Sequence, residues 1–250
     1  MITALPQLEA LPPESLVLDI GGGAAHHPRA DWVIDLEQWE NRNWFYTDRG
    51  EVPSFHNRVS PDRWIQRDIC EHDPWPFAAH QFAFAICSHT LEDVRDPVWV
   101  CHEMMRVAKA GWVTTPAAVT ELTRGIESRL WCGWHHHRWL VEIRDGGLAF
   151  LAKPHHIHSP LWPAARSPRR LREGALEPLS YLWNEPFHAS EEVIIQTEEL
   201  DMRLRAILER ETTLDPVGSA WLKTRGAFWS SYLGSRHIAR QILTKTVNRA

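Results

Sequence analysis

Paired cysteines, long apolar runs and a surplus of positive charge are all missing from this chain of 250 residues. Its four cysteines, Cys70, Cys87, Cys101 and Cys132, form no C-x-x-C pair, and three of them sit within apolar segments. A disulfide-stapled mini-protein is excluded, and reduced thiols in a cytoplasmic protein are expected. No apolar run approaches the roughly 20 residues that a membrane span needs. Residues 1–14 contain Glu9, Glu14 and three prolines, with neither a basic nor an apolar signal region, so no secretory signal is expected. A net charge of -5 argues against a whole-protein nucleic-acid binder, because neutralising phosphates takes a positive face. No internal repeat is present.

What the chain does have is 44% hydrophobic and 24% charged residues, the range of an ordinary folded domain with an extension. Fourteen tryptophans and 15 histidines are the unusual counts. Tryptophan at this level fills cores, and it also suits stacking on sugar rings.

Leu16-Val17-Leu18-Asp19-Ile20 reads as a buried strand that stops at Gly21-Gly22-Gly23. Trp32-Val33-Ile34 is a second run, ending in Asp35. Residues 82–87 read as a strand, 96–109 as a helix, and Gly111-Trp112-Val113-Thr114-Thr115 as a strand stopped by Pro116. Strands alternating with helices predict an α/β protein: a Rossmann-like, mostly parallel sheet with helices on both faces. The stretch from Trp139 to Ala152, interrupted by Asp145-Gly146, predicts a hairpin with a primed turn that closes the sheet antiparallel at one edge. Residues from Pro154 to about Pro186 read as an irregular, lid-like excursion. The expected organisation is a nucleotide-binding domain over 1–153 and an excursion with a C-terminal helical extension over 154–250.

Ligands of open α/β sheets bind beyond the carboxyl ends of the strands. The turn after the first strand departs from the dinucleotide fingerprint, since His26 stands where a third glycine is required, and no Gly-Lys-Ser/Thr of a P-loop follows. A ligand without a pyrophosphate fits better. S-adenosylmethionine is such a ligand: Gly21, Gly22 and Gly23 would admit a close backbone approach beside Asp19, and Asp35 would accept from the ribose hydroxyls. Asp68 would accept from an adenine amino group while Ile69 packs on the ring, and Ser88-His89 would lie near the methyl group.

These segments, Val17 to Gly23, Val33-Ile34-Asp35, Arg67-Asp68-Ile69 and Ile86-Cys87-Ser88-His89-Thr90-Leu91-Glu92-Asp93-Val94, resemble the class I S-adenosylmethionine-dependent methyltransferases, and within them the type 11 methyltransferase domain. The resemblance covers about residues 15–153. It implies a transferase with S-adenosylmethionine as cofactor. Two features depart from it: only Ala24 to Asp31 separates the glycines from the second strand, and Pro28 lies among them, so the usual first helix must shrink to a turn or loop. The absence of an Asn-Pro-Pro-Tyr type of signature, with Ser88-His89-Thr90 in its place, favours oxygen as the methyl acceptor. The expected acceptor is a saccharide or other small molecule, with a peptide or natural-product scaffold, or a non-catalytic binding module of the same fold, as alternatives.

Two further groups draw attention. If Asp145-Gly146 is the turn, extending the ladder downward places His135 opposite His156 and His136 opposite His155. Three readings are open for this cluster: surface packing, a general base drawn from His89, His135, His136 and His137, or a metal site whose carboxylate partner is not identifiable from spacing. No metal is assigned. After Pro216, Trp221, Phe228, Trp229, Tyr232, Leu233, Ile238 and Ile242 recur near helical spacing among six basic residues, which predicts an amphipathic helix that Gly226 and Gly234 break into pieces. Self-packing or a homodimer is the expected use of that face.

Overall fold

The computed structural model describes residues 5–42, 58–164, 174–211, 220, 223–232 and 235. The described strands are β1 (Val17–Ile20), β2 (Trp32–Asp35), β3 (Trp64–Gln66), β4 (Phe84–Ser88), β5 (Gly111–Thr115), β6 (Trp139–Arg144), β7 (Gly147–Ala152), β8 (Leu179–Trp183) and β9 (Ala189–Glu192). The helices with named bounds are α1 (Pro6–Glu9), α2 (Pro97–Val107), α3 (Ala118–Glu121) and α4 (Thr197–Glu211). Two compact units interleave along the chain: residues 1–116, 138–151 and 178–191 form the first, and 117–137, 152–177 and 192–250 the second. Residues 178–191, expected with the extension, thus lie in the first unit.

The first unit is an α/β Rossmann-like fold. Its six-stranded sheet runs β3-β2-β1-β4-β5-β8, parallel throughout except for β8, which is antiparallel to β5. β1 and β5 are buried along their whole length, as strands covered on both faces must be. Alternation sorts their side chains. Leu18, Ile20, Ala85, Cys87 and Val113 pack with Val100, Cys101, Met104 and Val107 of α2 on one face. Val17, Phe84, Ile86 and Trp112 pack with Leu5 and Leu8 at α1 on the other. Helices therefore cover both faces. α2 starts where its sequence says it should: Asp96 caps it by accepting from the Trp99 N–H at 2.9 Å, and Pro97 follows at the first helical position.

The antiparallel edge was expected from the hairpin, and the structure corrects this. The β6–β7 hairpin forms with the expected primed turn, with φ of 51° at Asp145 and 76° at Gly146. It belongs, however, to a separate three-stranded sheet, β6-β7-β9. The edge of the main sheet is β8, inside the stretch read as irregular. Its docking is specific. Gly111 leaves space that a Cβ would deny to Trp183 Cζ2 at 2.7 Å, the Trp112 indole N–H donates to Ser180 Oγ at 2.7 Å, and the Thr114 hydroxyl donates to the Leu179 carbonyl at 2.8 Å.

The second unit contains α3, a 3-10 turn at His155–His158, α4, and helical residues 223–232. α4 buries Asp201, Leu204, Ile207 and Leu208, one face of a helix, and Ile157, Trp162 and Trp229 are also buried. Gly226 does not break its helix. It lies within the helical run, where a Cβ would stand 2.7 Å from Arg205 Nη1. Of the tail's predicted apolar face, Trp229 is buried and Phe228 and Tyr232 are exposed, while Trp221, Leu233, Ile238 and Ile242, like Gly234, lie outside the described residues. All four cysteines are buried free thiols. Among the described residues no helix is long and apolar enough to cross a membrane.

Candidate functional site

The carboxyl ends of the central strands are level, because Ile20 pairs with both Ile34 and Cys87, and Asp35 pairs with Gln66. Beyond β1 the chain turns sharply at Gly21, whose φ of +67° is a left-handed conformation open to glycine. A Cβ there would also collide with the Thr90 side chain, which caps the turn by donating to the Ile20 or Gly21 carbonyl at 3.3 Å. The usual first helix is reduced to a 3-10 turn, Gly23–Ala25, as Pro28 and the short connection required. Asp35 closes the turn from β2. Its Oδ2 accepts from the Gly23 N–H at 2.8 Å and its Oδ1 from the Glu37 N–H at 2.7 Å. A carboxylate has about four acceptor positions, so two remain for a ligand.

Asp19 lies beneath the same turn. It is 2% exposed, its Oδ2 accepts from the His27 N–H at 2.5 Å, and its Oδ1 is buried with no hydrogen-bond partner. Burial pushes its carboxyl up to about 7, the Asp35 charge adds to the rise, and the His27 N–H opposes it. Burial likewise raises Asp35, against the hydrogen bonds from Glu37 and Gly23, and lowers the imidazoles of His26 and His27. A buried carboxylate oxygen without a partner, facing a turn that excludes side chains, fits a site that takes a donor from a bound ligand.

Asp68 follows β3. It accepts from the Cys70 N–H at 2.9 Å and is ion-paired with Arg95, while Ile69 is buried in the core below. Ser88 is the last residue of β4, and His89 follows it with φ of 52°, a left-handed conformation that a non-glycine residue rarely adopts. The His89 N–H is tied to the Thr114 carbonyl at 2.9 Å, its side chain is half exposed, and its Nδ1 lies 3.3 Å from Glu92 Oε1. Glu92 is 1% exposed and its backbone carbonyl accepts from the N–H groups of Arg138 and Trp139. In the sequence Glu92 stands out only as part of a motif; its place three residues after His89 is the signal that a carboxylate sits beside the imidazole.

His135, His136 and His137 belong to the second unit, and they do not face His155 and His156 across an extended ladder. β6 begins only at Trp139 and β7 ends at Ala152, because Pro154 removes a donor and the chain coils into the 3-10 turn. His156 stacks on Trp229, with ring centroids 5.8 Å apart. His135 takes Glu127 instead, and Trp131 lies between the groups, 6.4 Å from His135 and 5.3 Å from His158. His137 Nδ1 is 2.8 Å from Glu121 Oε1, and Glu121 Oε2 accepts from Lys153 Nζ at 2.6 Å. All three side chains are buried. Lys153 also donates to the Trp134 carbonyl at 2.7 Å. His158 accepts from the Cys132 N–H at 3.1 Å; burial, with the charges of Lys153 and Arg124, lowers its imidazole to about 4. Nothing in the local sequence marks Glu121, Glu127 and Lys153, since only folding joins them to the histidines.

No protein-family model matches the chain, and none of the curated proteins matches it. Solved structures similar to it include S-adenosylmethionine-dependent methyltransferases. A Mesorhizobium loti enzyme of that description is 18% identical over 58% of this chain and 61% of its own, with a TM-score of 0.32. One from Aquifex aeolicus is 18% identical over 45% and 68%, with a TM-score of 0.29. The YcgJ protein of Bacillus subtilis is 22% identical over 46% and 55%, with a TM-score of 0.34. The chain thus spans little more than half the length of the last of these.

Proposed function

We propose that the first unit binds S-adenosylmethionine at the carboxyl ends of β1 to β4 and transfers its methyl group to an oxygen of a small acceptor, of the saccharide class. The observation that carries this reading is the closed loop between β1 and β2, in which Asp35 is fixed by the Gly23 N–H and keeps acceptor positions in reserve. A ribose diol uses such positions. Gly21, Gly22 and Gly23 supply backbone close to the ligand, with the unpartnered Asp19 Oδ1 beneath them. Asp68 and Ile69 flank the adenine, and Ser88 stands at the end of β4.

When bound, the sulfonium supplies both the methyl group and the leaving group. The residues of the chain must align the acceptor and remove its proton. His89 is the base in this reading. Its Nδ1 lies 3.3 Å from Glu92 Oε1, a buried carboxylate oxygen without a hydrogen-bond partner, so a small rotation of the ring would pair the two and leave Nε2 for an acceptor hydroxyl. Glu92 acts through His89 and is a positioning residue.

The test is calorimetry of S-adenosylmethionine binding to the wild type and to Asp35→Ala. Loss of the charged acceptor should weaken binding by about 1 to 3 kcal/mol. Equal affinity in a folded Asp35→Ala variant overturns the assignment.

A further inference from the structure

We propose that Glu127, His135 and His136 form a binding site for a borderline divalent transition-metal ion such as Zn2+, within the second unit. One ligand atom from each residue lies within 4.8 Å of the other two. The rings of His135 and His136 have centroids 5.2 Å apart at an interplanar angle of 76°. Zn–N and Zn–O bonds of about 2.0 to 2.2 Å put tetrahedral ligand atoms roughly 3.4 Å apart. Small rotations of exposed side chains bring the three atoms to that spacing.

The carboxylate is what separates this cluster from a bare run of histidines. Glu127 lies eight residues before His135 and is held on it by the backbone: the His135 N–H donates to Glu127 Oε2 at 2.8 Å, and His135 Nδ1 lies 2.7 and 2.8 Å from the two carboxylate oxygens. Two imidazoles and one carboxylate are the donor set of zinc, nickel and copper rather than of magnesium or calcium, which take oxygen ligands. Trp131 and Trp134 stand beside the rings, with ring centroids 6.4 Å from His135 and 6.3 Å from His136. Three protein ligands leave a coordination position for water or another small oxygen donor. In this site His135 binds through Nδ1 and carries its proton on Nε2, so the ion replaces the present contact between His135 Nδ1 and Glu127 rather than adding to it.

The experiment is a titration of the full chain, free of any histidine tag, with ZnCl2 by calorimetry, and with Co2+ by its visible d–d absorption. One equivalent of each should bind. Glu127→Gln, His135→Ala and His136→Ala should each weaken binding about tenfold or more, whereas His155→Ala should not. Far-UV circular dichroism checks that the variants, which change exposed positions, keep the fold. Two results overturn the proposal: no saturable binding by the wild type, or a Glu127→Gln variant that binds as tightly as the wild type, which would mean adventitious binding to a histidine run only. S-adenosylmethionine affinity is measured separately, so failure here leaves the proposal for the first unit standing.

Discussion

A Cβ on Gly22 would stand 2.5 Å from Asp19 Oδ1, so the middle residue of the β1–β2 turn and the carboxylate beneath it compete for one space. Asp19 cannot swing away freely, because it is buried and holds the His27 N–H at 2.5 Å. Gly22→Ala should therefore break that hydrogen bond or lift the turn, and should destabilise by about 1 to 3 kcal/mol, as overpacking does. Under the proposed function it also weakens S-adenosylmethionine. A variant with wild-type urea midpoint and wild-type affinity would show that the turn gives way without cost.

The buried position of Asp19 has a pH signature. Its carboxyl stands at about 7 in the folded chain against an ordinary 3.8, chiefly through burial. A raised folded value stabilises fully below the unfolded value and is lost as pH rises through the folded one. Wild-type stability should thus fall between about pH 4 and 7 by a few kcal/mol from this group, at roughly 1.4 kcal/mol per unit. Asp19→Asn keeps an acceptor for the His27 N–H and does not titrate. Its urea midpoint relative to wild type should rise steadily across that window; a constant difference would remove Asp19 as the source.

His89 and Glu92 make a kinetic prediction. If His89 removes the acceptor proton, His89→Ala should cost about 10² to 10⁴ in methyl-transfer rate with cofactor affinity unchanged. Glu92→Gln retains the shape of the buried side chain and removes its charge, so it should lower the rate and shift the pH profile of the reaction while leaving cofactor binding intact. Full turnover in both variants would assign proton removal to another group.

Much of this was legible along the chain because the determinants are local. Asp145-Gly146 is a primed turn by its residue types, Asp96-Pro97 starts a helix, and Gly21 to Asp35 lie within the single short connection from β1 to the end of β2. The edge strand β8 was not legible: Leu179-Ser180-Tyr181-Leu182-Trp183 is five residues long, emerges from a Pro- and Arg-rich stretch, and is specified by Gly111, Trp112 and Thr114, more than 60 residues earlier. The histidine partners failed for the same reason. Strand register predicts opposite residues only while the ladder lasts, and here it ends at Ala152, so His135 turns to Glu127 and His137 to Glu121.

The cluster of Glu121, His137 and Lys153 tests how such non-local polar groups hold the second unit together. Glu121 is 1% exposed and is bound from two sides, by Lys153 Nζ at 2.6 Å and His137 Nδ1 at 2.8 Å. Gly133, with φ of +60°, gives the carboxylate its room, since a Cβ there would press against Glu121. Removing one partner of a buried ion pair leaves the other charge unpaired, which costs about 3 to 5 kcal/mol, whereas replacing both by apolar groups is often nearly neutral. Glu121→Ala should therefore be strongly destabilising because it strands the Lys153 ammonium, and Lys153→Met should cost less, because His137 still faces the carboxylate. The double variant Glu121→Ala, Lys153→Met should recover part of the loss of Glu121→Ala. Chemical denaturation of the four proteins measures the coupling; additive effects would show that the two charges do not depend on each other.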